Sequence, residues 1–494
     1  MSFAKVAINL PLNRTFCYSV PKALEGDVDI GKRVWVPFRD KDKVGVLVGF
    51  SEKSDFPEIK ALKSVIDKEP ILSKQLLSLA EWISDTYLCS WGEAISAMIP
   101  GVLKKGKTTV RVRDEKKIKE KDVTPEMPFS PTSEQQNAIK NVLDKIEKKT
   151  YKTFLLHGIT ASGKTEVYLQ AIDTVLKKGH SSIVLVPEIS LTPQTVARFT
   201  ARFGENVAVI HSRLLGSTRY QEWKKIREGS AKIVVGARSA IFSPVKNLGL
   251  IIIDEEHETS YKQEDAPRYH ARDVAIQRAK LSNCPVILGS ATPSLESYYK
   301  AEKGEYELVR LTKRIDDKEL PRVKIVDMRM EVATRKKIVM FSKVLTDALE
   351  EVIKRKQQAI VFLNRRGFST YMNCKGCGYV LKCKKCDAIL VYHYDKRSLI
   401  CHYCNAKLPP PNICPKCNSG YIKYFGIGTE KVESELSRFI PQARISRMDT
   451  DATSKRGSHD RILESFKEHN IDIMVGTQMI AKGLDFPRVT LVGV

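Results

Sequence analysis

The chain has 494 residues, 42% of them hydrophobic and 28% charged, an ordinary globular composition with room for two to four domains. Its formal net charge of +24 at pH 7 points to a polyanionic partner, nucleic acid before membrane surface, with a merely soluble basic surface as the competing reading. No apolar run approaches the length of a membrane span. Asn9 and Pro11 also interrupt the opening "MSFAKVAINLPLNRTF" where a signal peptide needs unbroken apolar sequence, so a cytoplasmic protein is expected.

Residues 1 to about 66 contain short strand-like runs, "VAINLPL", "TFCYSV", "KRVWVPF" and "KVGVLVGF", separated by Pro, Gly and Asp. In "PILSKQLLSLAEWISDTYLCSWGEAISAMIP" the apolar residues shift to helical spacing, predicting one or two helices that end at Pro100-Gly101. Residues 1–104 are therefore expected to form a small β-rich domain with trailing helices. A charged segment poor in apolar residues follows, giving a linker over 105–130.

Beyond it, "TFLLHG", "SSIVLVPE", "VAVIHS", "KIVVGA", "LGLIIIDEE" and "CPVILGSATP" alternate with helix-like segments. Near-continuous apolar strands of this kind belong to a parallel sheet covered on both faces. A second series, "QAIVFLN", "ARISRMD", "IDIMVGT" and "RVTLVGV", is interrupted after its first strand by a cysteine-rich block. The expected fold class is α/β, with two parallel-sheet lobes at 131–312 and 313–494. The second lobe is divided into 313–373, an insert at 374–417 and a remainder at 418–494.

"GITASGKT" spans Gly158, Ile159, Thr160, Ala161, Ser162, Gly163, Lys164 and Thr165, between an apolar strand and a helix-like segment. That is the strand–loop–helix setting of a phosphate-binding loop. Its glycines let backbone N–H groups close around phosphate oxygens, and the helix N-terminus adds partial positive charge. Lys164 is expected to reach the β- and γ-phosphates of ATP, and Thr165 to ligate Mg²⁺. "LGLIIIDEEH" places Asp254 and Glu255 at the carboxyl end of a strand, where α/β ligands bind. Asp254 is expected to hold Mg²⁺ and Glu255 to orient or deprotonate the attacking water. Acidic residues after a strand can equally be a helix N-cap turn.

Four C-x-x-C pairs lie between Cys374 and Cys417, against about 0.2 expected if the cysteines were scattered at random. Disulfides suit a cytoplasmic chain poorly, and four thiolates per tetrahedral ion give two Zn²⁺ sites. "DAILVYHYDKRSLI", between Cys386 and Cys401, has the pattern of a hairpin with its turn near Asp395-Lys396. A hairpin brings its ends together. It therefore pairs Cys383, Cys386, Cys401 and Cys404 on one zinc and leaves Cys374, Cys377, Cys414 and Cys417 for the other. Residues 364–425 carry eleven Lys or Arg against two Asp, so the insert stays roughly +5 once thiolates and zinc are counted. It is suited to contacting DNA or a partner protein, or to a purely structural role. Cys17, Cys89 and Cys284 stand singly among apolar residues and are expected in cores.

In order, "GITASGKT", "VLVPEISLTPQ", "VVGARSAIFSP", "DEEH", "GSATPS", "VFLNRRGFS" and "VGTQMIAKGLDFP" resemble the motifs of superfamily 2 helicases. With the eight-cysteine block directly after "VFLNRRGF", the chain more closely resembles the PriA (primosomal protein N′) family of bacterial replication-restart helicases, over nearly its whole length. The resemblance implies two RecA-like lobes, an N-terminal 3′ DNA-end-binding domain and the same nested zinc pairing. It implies an ATP-dependent motor stepping 3′ to 5′ on single-stranded and forked DNA. It also implies primosome proteins, a replicative helicase loader and single-stranded DNA-binding protein as partners, and a nucleoid-associated place in a bacterial cytoplasm.

By the same resemblance, Gln135 is the adenine-side glutamine, and Gly483 and Asp485 belong to the ATP site. Phe16, Cys17, Tyr18 and Lys60 form the DNA-end pocket, with Cys17 where an Asp is often found. "TSYKQEDAPRYHARD" resembles an aromatic-rich loop that couples DNA contact to hydrolysis, with Tyr261, Arg268 and Tyr269 as contacts and core packing as the competing reading. Thr477 and Lys482 are further DNA contacts. The linker is too short for the family's usual winged-helix domain. The sequence also stops at "VTLVGV", before the family's Gln- and Arg-bearing motif. A C-terminally incomplete, weakly hydrolysing chain is therefore expected, with a catalytically weak DNA-binding zinc scaffold as the alternative to a working helicase. A different superfamily 2 translocase is a third reading, which the cysteine block opposes.

Overall fold

The computed structural model describes residues 3–52, 59–108, 129–188, 191–212, 214–315, 321–335, 339–363, 370–374, 377–393, 398–401, 403–420, 422–425, 429–448, 458–477, 480 and 486–494. The chain divides into two compact units, Met1–Leu320 and Pro321–Val494.

The first unit opens with β1 (Phe3–Ile8), β2 (Phe16–Ser19), β3 (Arg33–Phe38), β4 (Lys41–Ser51) and β5 (Ser64–Val65). They form one sheet in the order β2-β1-β4-β3-β5 with antiparallel pairing. Val6, Val34, Val36 and Leu47 close its small core. Arg33, although charged, is buried: it pairs with Asp67 at 2.6 Å and donates to the carbonyls of Leu103 and Lys107. Most of the expected linker, 109–128, lies outside the described residues.

Two helices follow, α1 (Lys74–Tyr87) and α2 (Trp91–Met98). Ser73 caps the first by accepting from the Leu76 amide, and Ser90 with Glu93 forms a reciprocal capping box on the second. Their apolar faces pack on the opposite side of the sheet from its small core, together with Ala7 of β1 and Val46 of β4. Leu76, Leu79, Ile83 and Ile95 belong to the same core as residues of the following α/β lobe.

That lobe runs α3 (Ser133–Glu147), β6 (Thr153–Gly158), α4 (Lys164–Lys177), β7 (Ser181–Leu185), α5 (Pro193–Phe203), β8 (Val207–Ile210), α6 (Gly216–Glu228), β9 (Ile233–Gly236), β10 (Leu248–Asp254), α7 (Ala271–Ser282), β11 (Val286–Ser290), α8 (Leu295–Glu302) and β12 (Glu307–Leu311). The seven strands make a parallel sheet in the order β12-β6-β11-β10-β7-β9-β8. Alternate residues of β10 feed two cores: Ile251 and Ile253 on one face, Leu250 and Ile252 on the other. Burial on both faces is why the strand sequence is continuously apolar.

The second unit contains α9 (Met328–Arg335), α10 (Lys343–Lys354), β13 (Gln358–Phe362), β14 (Thr370–Cys374), β15 (Val391–His393), β16 (Ser398–Ile400), β17 (Lys407–Leu408), β18 (Ile422–Phe425), α11 (Thr429–Phe439), β19 (Ile445–Met448), α12 (Ser458–Lys467), β20 (Ile473–Gly476) and β21 (Val489–Gly493). Strands β19, β20, β13 and β21 form a parallel sheet in that order. Inserted after β13 is a separate antiparallel sheet, β17-β16-β15-β14-β18, which carries the cysteines. Hairpin β15–β16 pairs Val391 with Ile400, while the turn expected near Asp395-Lys396 falls outside the described residues.

Candidate nucleotide site, nucleic-acid surfaces and metal centres

Strand β6 ends at Gly158, and α4 starts at Lys164 with no side chain capping it, which leaves the helix N-terminus for an anion. Gly163 makes the turn at φ 79°, and a Cβ there would lie 2.2 Å from Gln135 Nε2; only glycine fits. Lys164 Nζ donates to the Gly158 carbonyl at 2.8 Å, so the lysine lies folded along its own loop. Desolvation pulls its pKa below the usual lysine value, while the charges of Glu255 and Asp254 oppose the shift. Among the described residues the buried Ser162 hydroxyl has no partner, an orphan of the kind a phosphate-binding loop leaves for its ligand. Thr165 stands on the first turn of α4. Gln135 is buried, accepts from the Thr132 amide and donates to the Ser162 carbonyl at 2.9 Å. Its amide therefore ties the start of α3 to the loop.

Asp254 ends β10. Desolvation pushes its carboxyl up to about 6, with Glu255 adding and Lys164 opposing. Two buried tyrosines hold this residue. Tyr168 on α4 donates to Asp254 Oδ1 at 3.1 Å, and Tyr261 donates to the Asp254 carbonyl at 2.7 Å and the Leu185 carbonyl at 3.1 Å. Glu255 takes a left-handed backbone with φ 48°, costing about 1–2 kcal/mol for a residue with a Cβ. The adjoining Glu256 amide donates to the Gly289 carbonyl at 3.1 Å and helps fix the turn.

The next two residues connect this motif to "GSATPS". Glu256 is fully buried and accepts from Arg272 Nη1 at 2.9 Å, the Ser294 amide at 2.7 Å and the Ser297 hydroxyl at 2.9 Å. Burial alone would push its carboxyl up; those donors outweigh it and hold it below the usual carboxylate range. His257 Nδ1 lies 2.8 Å from Ser290 Oγ. The sequence reading missed Tyr168, Glu256 and Arg272 as parts of the site. An acidic residue directly after an apolar strand and an arginine opening a helix were available signals, but their pairing is long-range.

Three of the aromatics expected to contact DNA are buried. Tyr261 is sealed under the acidic motif, and Tyr269 packs edge-on against Phe242 with ring centroids 5.0 Å apart. Tyr18 is buried and donates to the Pro37 carbonyl at 3.2 Å. Each of the three rings belongs to a core. Thr477 is likewise buried after β20. By contrast Arg268 and Lys262 are exposed in the same loop, with Lys262 Nζ donating to the Arg268 carbonyl at 2.5 Å. Arg238 steadies that loop by donating to the carbonyls of Ser260 and Lys262. In the N-terminal sheet Phe16 and Cys17 are half-buried and Lys60 is exposed; the Lys60 carbonyl accepts from the Ser19 amide at 3.0 Å. Arg14 lies over the Phe16 ring at 5.0 Å. Lys482, Gly483 and Asp485 lie outside the described residues.

The eight cysteines gather as two tetrads, Cys374, Cys377, Cys414 and Cys417, and Cys383, Cys386, Cys401 and Cys404, with all thiol atoms of a set within 4.8 Å of one another. This is the nested pairing expected from the hairpin. Separations of 3.6 Å for Cys374–Cys417, 3.7 Å for Cys377–Cys414 and 3.7 Å for Cys383–Cys404 match the edge of about 3.8 Å that tetrahedral Zn–S bonds of about 2.3 Å require. Each pair sits in the same knuckle. The residue after its second cysteine, Gly378, Asp387, Asn405 or Asn418, has positive φ and donates its amide to the carbonyl of the first cysteine. Gly, Asn and Asp are the residues that tolerate this conformation, and the tetrads fit zinc. Of the remaining cysteines, Cys284 is buried, with burial pushing its thiol up to about 12, whereas Cys17 and Cys89 are only half-buried.

Together these features define an ATP-dependent DNA helicase with two RecA-like lobes, an N-terminal DNA-binding domain and a zinc-ribbon insert. Family models match along its length: the PriA 3′ DNA-binding domain at 5–100, the DEAD/DEAH box helicase at 132–301, the PriA DNA helicase Cys-rich region at 383–409 and the helicase conserved C-terminal domain at 421–493. The chain is 38% identical to the replication restart protein PriA of Bacillus subtilis, covering 100% of this chain and 78% of that protein. To its counterpart from Treponema pallidum it is 39% identical, covering 99% and 73%. It belongs to the PriA family of replication restart helicases.

Proposed function

We propose that the chain acts at stalled or abandoned replication forks, moving 3′ to 5′ along single-stranded DNA and starting primosome assembly. The observation that carries the motor reading is the joint placement of Lys164, Asp254 and Glu255. Lys164 stands close enough to both carboxylates for their charges to oppose the desolvation that lowers its pKa, and α4, which starts at Lys164, is bonded to Asp254 through Tyr168. In this reading the loop amides and Lys164 bind the ATP phosphates, and Gln135 stands beside the adenine. Thr165 and Asp254 would hold Mg²⁺, which neutralises charge developing on the phosphates when bound. Glu255 orients the attacking water. Gly483 and Asp485 complete the ATP site by family resemblance.

DNA contacts are assigned to Phe16, Cys17 and Lys60 at a strand's 3′ end, to Arg268 in the aromatic-rich loop and to Lys482. The basic zinc insert serves DNA or a partner beside the motor. A helicase loader, single-stranded DNA-binding protein and other primosome proteins are the proposed partners, in a bacterial cytoplasm at the nucleoid. Among the described residues no helix is long and apolar enough to cross a membrane.

The test is Lys164→Ala. Nucleotide binding should weaken by at least about 10-fold, as expected for loss of a charge-assisted phosphate contact, with DNA affinity in the absence of nucleotide unchanged. Loss of nucleotide-free DNA binding would overturn the separation of the two sites.

A further inference from the structure

The aromatic-rich loop has its ends held together where Lys262 and His270 meet in a β-bridge, and His270 is also the N-cap of α7. At this junction stands Tyr87, the last residue of α1. Its hydroxyl accepts from the His270 amide at 3.2 Å and donates to Asp273 Oδ2 at 3.3 Å, and Lys262 Nζ lies 5.1 Å from its ring centre. Tyr87 falls within the 3′ DNA-binding-domain match at residues 5–100, whereas its partners belong to the helicase lobe. Helices α1 and α7 share one hydrophobic core, so the contact joins two packed elements rather than two mobile surfaces.

The path continues inward over a single turn of helix. Arg272, two residues beyond the His270 cap, holds the buried Glu256 carboxylate at 2.9 Å, next to Glu255 of the acidic motif. A displacement of the loop base therefore bears on the orientation of α7's first turn, and through it on the turn that carries Glu255.

We infer that Tyr87 is a positioning residue through which the N-terminal domain seats the base of the aromatic-rich loop and sets the coupling between DNA and nucleotide sites. This rests on the proposal that Arg268 of the loop contacts DNA. The N-terminal domain then does two jobs: it offers a DNA-end surface, and it supplies the support against which the loop works. Removing the Tyr87 hydroxyl leaves each ligand's own contacts in place but frees the loop base, so the two sites lose sight of each other.

The experiment is a linkage measurement that needs no turnover. The affinity of a fluorescent oligothymidylate is measured with and without AMP-PNP for the unaltered chain, Tyr87→Phe, Asp273→Asn and Arg268→Ala. Coupled sites differ in affinity by at least about 5-fold between the two conditions. Tyr87→Phe, which keeps the ring and its packing, should bring that ratio toward one while nucleotide-free DNA affinity and AMP-PNP affinity stay within about 2-fold of the unaltered chain. Asp273→Asn, altering the half-buried partner, should lower the ratio in the same direction. A Tyr87→Phe ratio equal to that of the unaltered chain, with Arg268→Ala abolishing the coupling, would overturn the inference and leave the loop reading intact. A ratio of one in the unaltered chain, or a ratio that Arg268→Ala does not change, removes the loop reading and this inference with it.

Discussion

Tyr168 on α4 donates its hydroxyl to Asp254 Oδ1 at 3.1 Å, and Gly289 on the adjoining strand has no Cβ because one would lie 1.6 Å from that hydroxyl oxygen. Three residues more than thirty positions apart in sequence thus define one interaction. The helix that follows the phosphate-binding loop is bonded to the carboxylate that closes β10, and a glycine makes room for the bond.

Tyr168→Phe removes one hydrogen bond to a partly buried carboxylate and should destabilise the first unit by about 1–3 kcal/mol. It should also raise the Mg²⁺ concentration needed for half-maximal nucleotide binding, since Asp254 loses the partner that fixes one oxygen. Thermal unfolding and a Mg²⁺ titration with a fluorescent ATP analogue check the two parts separately.

Gly289→Ala should cost about 1–3 kcal/mol by overpacking, and part of that cost should disappear in a Tyr168→Phe background, because the hydroxyl is the nearest clash while ring Cζ, at 2.8 Å, remains. Denaturant unfolding of the two single variants and the double variant gives the coupling. Strict additivity would show that Gly289 is required for some other reason.

Glu256 carries a signed pH prediction. Its carboxyl is held below the usual range in the folded protein, so its contribution is present above the unfolded carboxyl pKa of about 4.3 and is lost as pH falls through the lower folded value. The melting-temperature gap between the unaltered chain and Glu256→Gln should therefore be widest near neutral pH and should close in acid. Arg272→Met, which strands the buried carboxylate, should destabilise by about 3–5 kcal/mol at neutral pH.

Cys383→Ser should release one zinc of the two, loosen hairpin β15–β16 and leave nucleotide binding by the first unit unchanged. Metal analysis with amide hydrogen exchange reads both effects. Retention of both zincs would contradict the nested pairing, in which Cys383 and Cys404 are 3.7 Å apart in one tetrad.

Much of this protein was already written in local sequence. Runs such as "LGLIIIDEEH" specify a doubly covered strand ending in carboxylates, because burial on both faces leaves no polar alternation. "GITASGKT" specifies an anion-binding turn, since its glycines and helix start are contiguous. The cysteine spacing fixed the metal count, and the hairpin between Cys386 and Cys401 fixed which pairs meet. The left-handed turns at Gly378, Asp387, Asn405 and Asn418, each directly after its pair, went unread although the signal is local. Tertiary packing alone decided which aromatic rings face inward: Tyr261 and Tyr269 sit beside exposed Lys262 and Arg268 in sequence yet fill a core, as Tyr18 does in the N-terminal sheet. Packing alone also brought Tyr87 to His270, Tyr168 to Asp254 and Glu256 to Arg272. The physical reason is range. Turn conformation, strand burial and metal spacing depend on neighbours along the chain, whereas the direction of a ring and the partner of a buried charge depend on which distant strands and helices close around them.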